Sequence, residues 1–546
     1  MSSRQIPDSP RTRRVRARFI LLLPLPALIP LARDCIEAAL QGKVATGFVI
    51  SDMAYYMANA REHFDQGFRL TYGNPYASYA TPAIYFQPHT FLLGCLERLG
   101  LDPGLALNLF GLAALFFASW AAVRFYEEVV GLETTAKRIG VACFFWGGGI
   151  LSLAGVAAGF WQHKRLLDSV LKFDIGGGWW MFNFGRNLTY PTEAYYHGVF
   201  LLSLLFLMRR KWAASLGLAA LLSLSHPYSG LSLALILTAY CGLEILLRSG
   251  SVPFRALAAS GAILAGHLGY YLVFLNRFAD HRVLQSQWES AWRVGTTVME
   301  DWLYRPSTYV PALFLVATLA AVRLLRAPGP REAFKDGRVR LFGVWFLAVF
   351  ALTQHNLVAK PAQPVHFARG NDWMALFFLG APVLTEAVDR LLGMRSRRLR
   401  YAAVAGLAGF LMLDNLVWYG SFFYPGRASQ AISLSQDQWA VLGWLSRNTA
   451  PPEMVVCQDQ LVGYLVSTYT RVRSWQGHRY NTPYTDQRRA ETQAAFLEGR
   501  ILREWESMPV VYVALRSSHW NAPPGETEVY RNNQFAVWGP RQPPTP

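Results

Sequence analysis

Charge is what this 546-residue chain has least of: Asp, Glu, Lys and Arg make up 16% of it, against 52% hydrophobic residues that include 18 Trp. An ordinary soluble protein carries about a quarter charged residues, so a chain this apolar must be solvated by lipid. Cysteine is scarce as well. The five cysteines, at 35, 95, 143, 241 and 457, are scattered, mostly in or beside apolar segments, without paired or metal-ligand spacing. That spacing supports neither a disulfide framework nor a zinc module, and leaves the cysteines as small packed hydrophobes. The common catalytic signatures are missing too: there is no P-loop, no Gly-x-Ser-x-Gly elbow, no His-Glu-x-x-His helix and no Cys-x-x-Cys pair. ATP-driven transport and zinc proteolysis lose their usual support. The formal net charge of +17 raises nucleic acid as a partner, but the basic residues lie in short clusters between apolar runs. Those runs have the roughly 17–23 residues needed to cross a bilayer. The clusters are read as topology signals, and nucleic acid is set aside.

The runs predict a mainly α, polytopic helical membrane protein with about eleven crossings, near 18–33, 105–123, 139–160, 194–208, 212–226, 229–247, 254–275, 307–325, 341–358, 373–391 and 401–421. The first run is followed by Asp34-Cys35-Ile36-Glu37 with no small-residue cleavage site, so it is read as a helix and not as a signal peptide. If the basic segment Arg11 to Arg18 is cytoplasmic, strict alternation puts every basic short loop inside: Arg124/Lys137/Arg138, Arg209 to Lys211, Arg248/Arg255, Arg323 to Arg340 and Arg390 to Arg400. This is the positive-inside pattern of a multi-pass cell (inner) membrane protein. The outer face then receives the long loops 34–104 and 161–193, the His226 turn, the loops 276–306 and 359–372, and everything after about 424. Residues 1–423 are expected to form the membrane domain. Residues 424–546 are expected to form a small extracytoplasmic α/β domain, with Gln438–Leu445 as an amphipathic helix and Val510–Leu515 as a buried strand.

Chemistry-bearing residues gather on that outer face. Asp52 opens a short helix in which Met53, Tyr56, Met57, Ala60 and Phe64 share an apolar face, with Gly67 as a stop. An Asp there is either a helix cap or a carboxylate held at headgroup height beside Tyr55 and Tyr56. The second loop, from Phe173 through Asp174 and a Gly-Trp-rich stretch to Arg186 and Asn187, suits either an aromatic belt or stacking on a sugar face. Glu193 enters the next helix as a second carboxylate or as an acid at the helix N-terminus. His197, one turn further in, is read as a packed, hydrogen-bonded residue. His226 lies in a Pro-Gly helical hairpin, and its contact with substrate is left open. Lys360, His366 and Arg369 share the loop before a late helix. Arg369 at a helix mouth calls for a counter-charge, either a phosphate oxygen or an internal partner such as Asp372 or another outer carboxylate.

Taken together, four features resemble the GT-C superfamily of integral-membrane glycosyltransferases: the acid beside paired tyrosines in a long first loop, the His226-Pro-x-x-Gly turn, Phe367-Ala368-Arg369-Gly370 before a late helix, and Trp444 to Pro451 opening a terminal outer domain. The likeness spans most of the chain and includes protein O-mannosyltransferase-like and lipid A aminoarabinose transferase-like members. It implies a polyprenyl-phosphate-linked sugar as donor and a glycan, lipid or protein acceptor. It also implies Asp52 as general base, with Glu193 as the second catalytic acid, and basic residues, Arg369 and more loosely Arg186, on the lipid phosphate. Tyr55, Tyr56, Asp174, His226, Lys360 and His366 would line the substrate site. Many members place two acids together in the first loop, whereas Asp52 stands between Ser51 and Met53. A second acid must then come from Glu193 or Asp174, and a divalent cation is left as an open cofactor. Two rivals remain: a polytopic transporter or flippase built on broken helices, and a GT-C-fold envelope assembly protein without chemistry.

Overall fold

The computed structural model describes residues 10–65, 67–174, 183–250, 252–291, 306–326, 330–358, 363–424, 429–518 and 520–540. Lys360 and the glycine-rich centre of the second loop, 175–182, lie outside the described residues. The chain is about 68% helical and divides into two compact units. One comprises 1–29, 111–271 and 289–427; the other comprises 30–110, 272–288 and 428–546.

The first unit is helical and apolar. Its axis is the helix Asn371–Leu392, buried without interruption from Asn371 to Ala381. Phe378 of this helix packs 4.7 Å from Phe144 and 4.9 Å from Phe125, ring centroid to ring centroid. Gly380 lets the helix Pro306–Arg326 approach so closely that a Cβ there would meet Leu319 at 2.5 Å, the small-residue contact typical of helices packed in lipid. Proline opens the helices Pro191–Met208 and Pro227–Leu246, where its fixed φ fits and its missing N–H costs nothing.

Each of the eleven expected runs overlaps helix. Among the described residues, however, five helices are long and apolar enough to cross a membrane, or seven if two bent pairs each count as one span, so the number eleven is not confirmed. The bent pairs are Thr135–Trp146 with Leu151–Trp161, at 58°, and Arg397–Leu411 with Leu413–Ser421, at 67°. Both had read as continuous apolar runs.

The second unit gathers the first long loop and the C-terminal stretch. The helix Asp52–Asp65 packs with the helix Pro88–Arg98, and strand β1 (Val44–Ala45) pairs antiparallel with β2 (Ser433–Leu434). The expected amphipathic helix is Gln436–Asn448, which buries Val441, Leu442 and Leu445 and is fixed by a capping box between Ser435 and Gln438. The strands are β3 (Met454–Cys457), β4 (Arg473–Ser474), β5 (Val510–Leu515), β6 (Glu526–Arg531) and β7 (Phe535–Pro540). They form one sheet in the order β4-β3-β5-β7-β6, parallel from β4 to β5 and antiparallel beyond. β5 is the expected buried strand. Its Val510, Tyr512 and Ala514 pack with Trp475, Phe496 and Trp505 into the core of this unit.

Candidate functional site

In the second unit, Asp52 is the first residue of its helix, where a carboxylate is favoured by the positive end of the helix dipole. Its side chain is 55% exposed, and Oδ1 accepts a hydrogen bond from Nε2 of the buried His478 at 3.1 Å. The tautomer of His478 follows from its other nitrogen. Nδ1 accepts from the Tyr480 backbone N–H at 3.2 Å and from the Asn481 side-chain amide at 2.8 Å, so the ring proton sits on Nε2 and points at Asp52. The pair is therefore a carboxylate and a neutral imidazole donor. A nitrogen protonated in this way is not a metal ligand, so the donor set around Asp52 does not fit a divalent cation. Among the described residues no cluster of three or more His, Cys, Asp or Glu could hold one.

Aromatic rings surround the pair. Tyr55, Tyr464 and Tyr76 lie 5.3, 5.4 and 5.9 Å from the His478 ring, and Tyr55 stacks on Tyr76. Burial pushes the phenols of Tyr55, Tyr76 and Tyr464 up, so all three stay neutral O–H donors. Tyr464 donates to the Ser51 carbonyl and Thr468 to the Ala54 carbonyl, which ties the helix Gln460–Tyr469 to the start of the Asp52 helix. Tyr56 turns towards Tyr55 and His89, with centroids at 5.5 and 5.8 Å. Sequence reasoning did not find His478. The turn Gly477-His478-Arg479-Tyr480-Asn481 was its one signal, and Gly477 is required there because a Cβ would meet Tyr76 at 2.3 Å.

In the first unit, Glu193, His226, His366 and Arg369 come together. Glu193, in the first turn of the helix Pro191–Met208, forms a buried ion pair with Arg369. This is the internal partner left open above. Asp372 is not that partner: it accepts from the Tyr309 hydroxyl at 2.7 Å and from the Trp373 N–H at 2.8 Å. Arg369 also donates to the His366 carbonyl at 2.8 Å and to His366 Nδ1 at 3.0 Å. Its backbone is left-handed (φ 40°), as is that of Gly370 (φ 67°), where a Cβ would meet the Asn183 backbone at 2.7 Å. A non-glycine residue in that region is strained, and such strain gathers at functional sites. A ladder of rings completes the group: Tyr196 stacks on His226 at 4.4 Å, and Tyr228 lies 5.5 Å from His226 and stacks on His366 at 4.9 Å. His226 caps the helix Pro227–Leu246 through Nδ1, which accepts from the Ser229 N–H at 3.1 Å. The expected hairpin is present, and its His leaves the ring proton on Nε2. His197 is buried one turn beyond Glu193, with Phe184 edge-on at 5.7 Å.

Asp174 and Arg186 form a separate buried node of the first unit. Arg186 is 0% exposed, and two of its nitrogens meet the Asp174 carboxylate at 2.5 and 2.7 Å. It also donates to Asn415 Oδ1 at 2.6 Å and to the Asp414 carbonyl at 3.0 Å, and its guanidinium lies over Trp418. Arg186 is thus turned into protein. The neighbouring pair Asp414-Asn415 stitches the two bent helices together. The Asp414 carboxylate accepts from Leu151 and Ser152 N–H, each at 2.9 Å, while the Asn415 amide donates to the carbonyls of Trp146 and Gly147 at 2.7 and 3.1 Å. The backbone groups orphaned on both sides of one helix break are satisfied by two adjacent residues.

No protein-family model and no curated protein sequence matches the chain. Among solved structures it is similar to ArnT from Cupriavidus metallidurans in the apo state, at TM-score 0.51 and 12% identity over 97% of this chain and 98% of that one. ArnT is a lipid A aminoarabinose transferase of the GT-C superfamily. The chain has a GT-C fold. The Archaeoglobus fulgidus oligosaccharyltransferase in the apo form is also similar, at TM-score 0.48 and 12% identity over 92% of this chain and 69% of that one. With this fold and its long apolar helices, the chain is an integral membrane protein.

Proposed function

We propose that this GT-C-fold protein is a membrane glycosyltransferase that moves a sugar from a polyprenyl-phosphate carrier to an acceptor hydroxyl on the non-cytosolic face. Asp52 takes the acceptor O–H proton, the acceptor oxygen bonds to the anomeric carbon, and the bond from that carbon to the phosphate oxygen breaks. The observation that carries this reading is the Asp52–His478 pair. A half-exposed carboxylate is held by a neutral N–H donor at the mouth of an aromatic box, oriented but still able to accept a proton. Tyr55 and Tyr56, both partly exposed, offer ring surface to the sugar or the acceptor.

Arg369 is assigned to the leaving phosphate. Glu193 and His366 take three of its five N–H donors and fix its plane, so Glu193 acts as counter-ion and orienter and not as a second base. Arg186 and Asp174 position the bent helices. The topology that goes with this has a cytoplasmic N-terminus and places Asp52 outside. Incubating purified protein with a labelled polyprenyl-phosphate sugar and extractable membrane acceptors should yield labelled product. The same protein with Asp52→Asn should yield little. A second reading, an assembly protein without chemistry, draws on the missing second acid beside Asp52 in the first loop; no transfer with any donor, together with retained partner binding, would favour it.

A further inference from the structure

A cavity of about 660 Å³ opens in the first unit among five helices: the C-terminal halves of Asn371–Leu392 and Pro306–Arg326, the start of Gly337–Thr353, and the connection from Pro103–Val129 to Thr135–Trp146. Its volume is in the range that holds small ligands. From Asn371 to Asp389 the rise along one helix is about 27 Å, so the cavity lies at the far end of that helix from Arg369. The transfer chemistry does not use it.

Its lining is amphoteric, and most of the charges are already spent. Arg323 faces Asp336 at 3.5 Å, Arg390 pairs with Glu386, and Lys137 reaches Glu133 at 2.8 Å. One cation and one anion remain without an ionic partner among the described residues: Arg338, whose Nη1 donates to the Val129 carbonyl at 3.0 Å, and Asp389. Both are exposed, whereas Phe342, Phe378 and Pro382 give the cavity an apolar wall. Basic pockets between membrane helices are recurrent lipid headgroup sites, and this one adds an acid. An anionic headgroup would leave Asp389 facing like charge, and a plain cation would leave Arg338 facing one.

We propose that this cavity binds a zwitterionic phospholipid headgroup that carries a phosphate and a primary ammonium. Arg338 donates to the phosphate, Asp389 accepts from the ammonium, and the apolar wall takes the glycerol end of the chains. The inference rests on the first unit alone and stands whether or not the protein transfers sugar.

Delipidated protein is titrated with phosphatidylethanolamine, phosphatidylcholine and phosphatidylglycerol of matched chains, with binding read by native mass spectrometry. Phosphatidylethanolamine should bind tightest. Arg338→Gln should weaken it about tenfold, the loss expected for a charge-assisted phosphate contact. Asp389→Asn should erase the preference over phosphatidylglycerol, and Thr385→Trp, which puts a bulky ring into the cavity between the two charges' helices, should weaken binding of all three lipids at least tenfold even if the charge variants do not fold. Equal binding of the three lipids, tighter phosphatidylglycerol, an ethanolamine preference that survives Asp389→Asn, or binding that Thr385→Trp leaves unweakened would overturn the proposal.

Discussion

Two carboxylates, one in each unit, show how environment decides what an acid can do. Asp52 is more than half exposed and accepts the N–H of His478, whereas Glu193 is buried and spends its charge on Arg369. The first stands half in water, which can answer a change in its charge. The second has no such answer, because protonating it would leave a buried guanidinium uncompensated. Both acids are candidate catalytic groups in the sequence; in the proposed reaction their surroundings suit the first to be the base and the second to be a counter-ion.

Substitution can test that division. Asp52→Asn keeps a good helix-start residue and an acceptor for His478, so turnover should fall by about 10²–10⁴ while the melting temperature barely moves. An unchanged rate would remove Asp52 from the chemistry. Glu193→Gln should do the reverse, costing about 3–5 kcal/mol of stability in thermal or denaturant unfolding, because Arg369 loses its partner; double replacement with Arg369→Met should recover much of it.

Acid should weaken the second unit. Burial pushes His89 down to about 3 and His281 down to about 4, so the folded second unit holds both imidazoles neutral. The unfolded chain takes up protons below about pH 6.5 and the folded one does not, so stability is present above that pH and is lost as pH falls towards 4. The loss should be on the order of 3 kcal/mol per imidazole by pH 4. Proteolysis in the 30–110 and 428–546 segments should therefore rise as the pH falls towards 4. The smallest effect is expected at His478. Removing one hydrogen bond to a charged group in His478→Ala should cost about tenfold in kcat, and His478→Gln, which keeps an N–H donor, should restore most of it. Equal loss in both variants would mean that the ring is there for packing.

What the sequence made legible was local. The helix around Gln438–Leu445 and the strand Val510–Leu515 are written in periodicity, and Pro191 and the Arg369-Gly370 turn in residue type. The breaks near Gly147–Gly149 and Met412 were hidden because apolarity runs straight through them; the three consecutive glycines and the polar Asp414-Asn415 pair inside an apolar run were the available clues. His478 lies 426 positions from Asp52. No window along the chain holds both, and the pairing exists only because the first loop and the C-terminal sheet fold as one unit.

The Asp414-Asn415 pair has a consequence for how much the membrane helices tolerate change. One dipeptide serves both sides of its neighbour's break, so neither bend can be straightened alone. Inserting a single residue between Met412 and Asp414 would swing both side chains about 100° around their helix. Four backbone groups would be unhooked at once in a buried site, where each lost partner is costly. Length in this stretch should be guarded more strictly than composition.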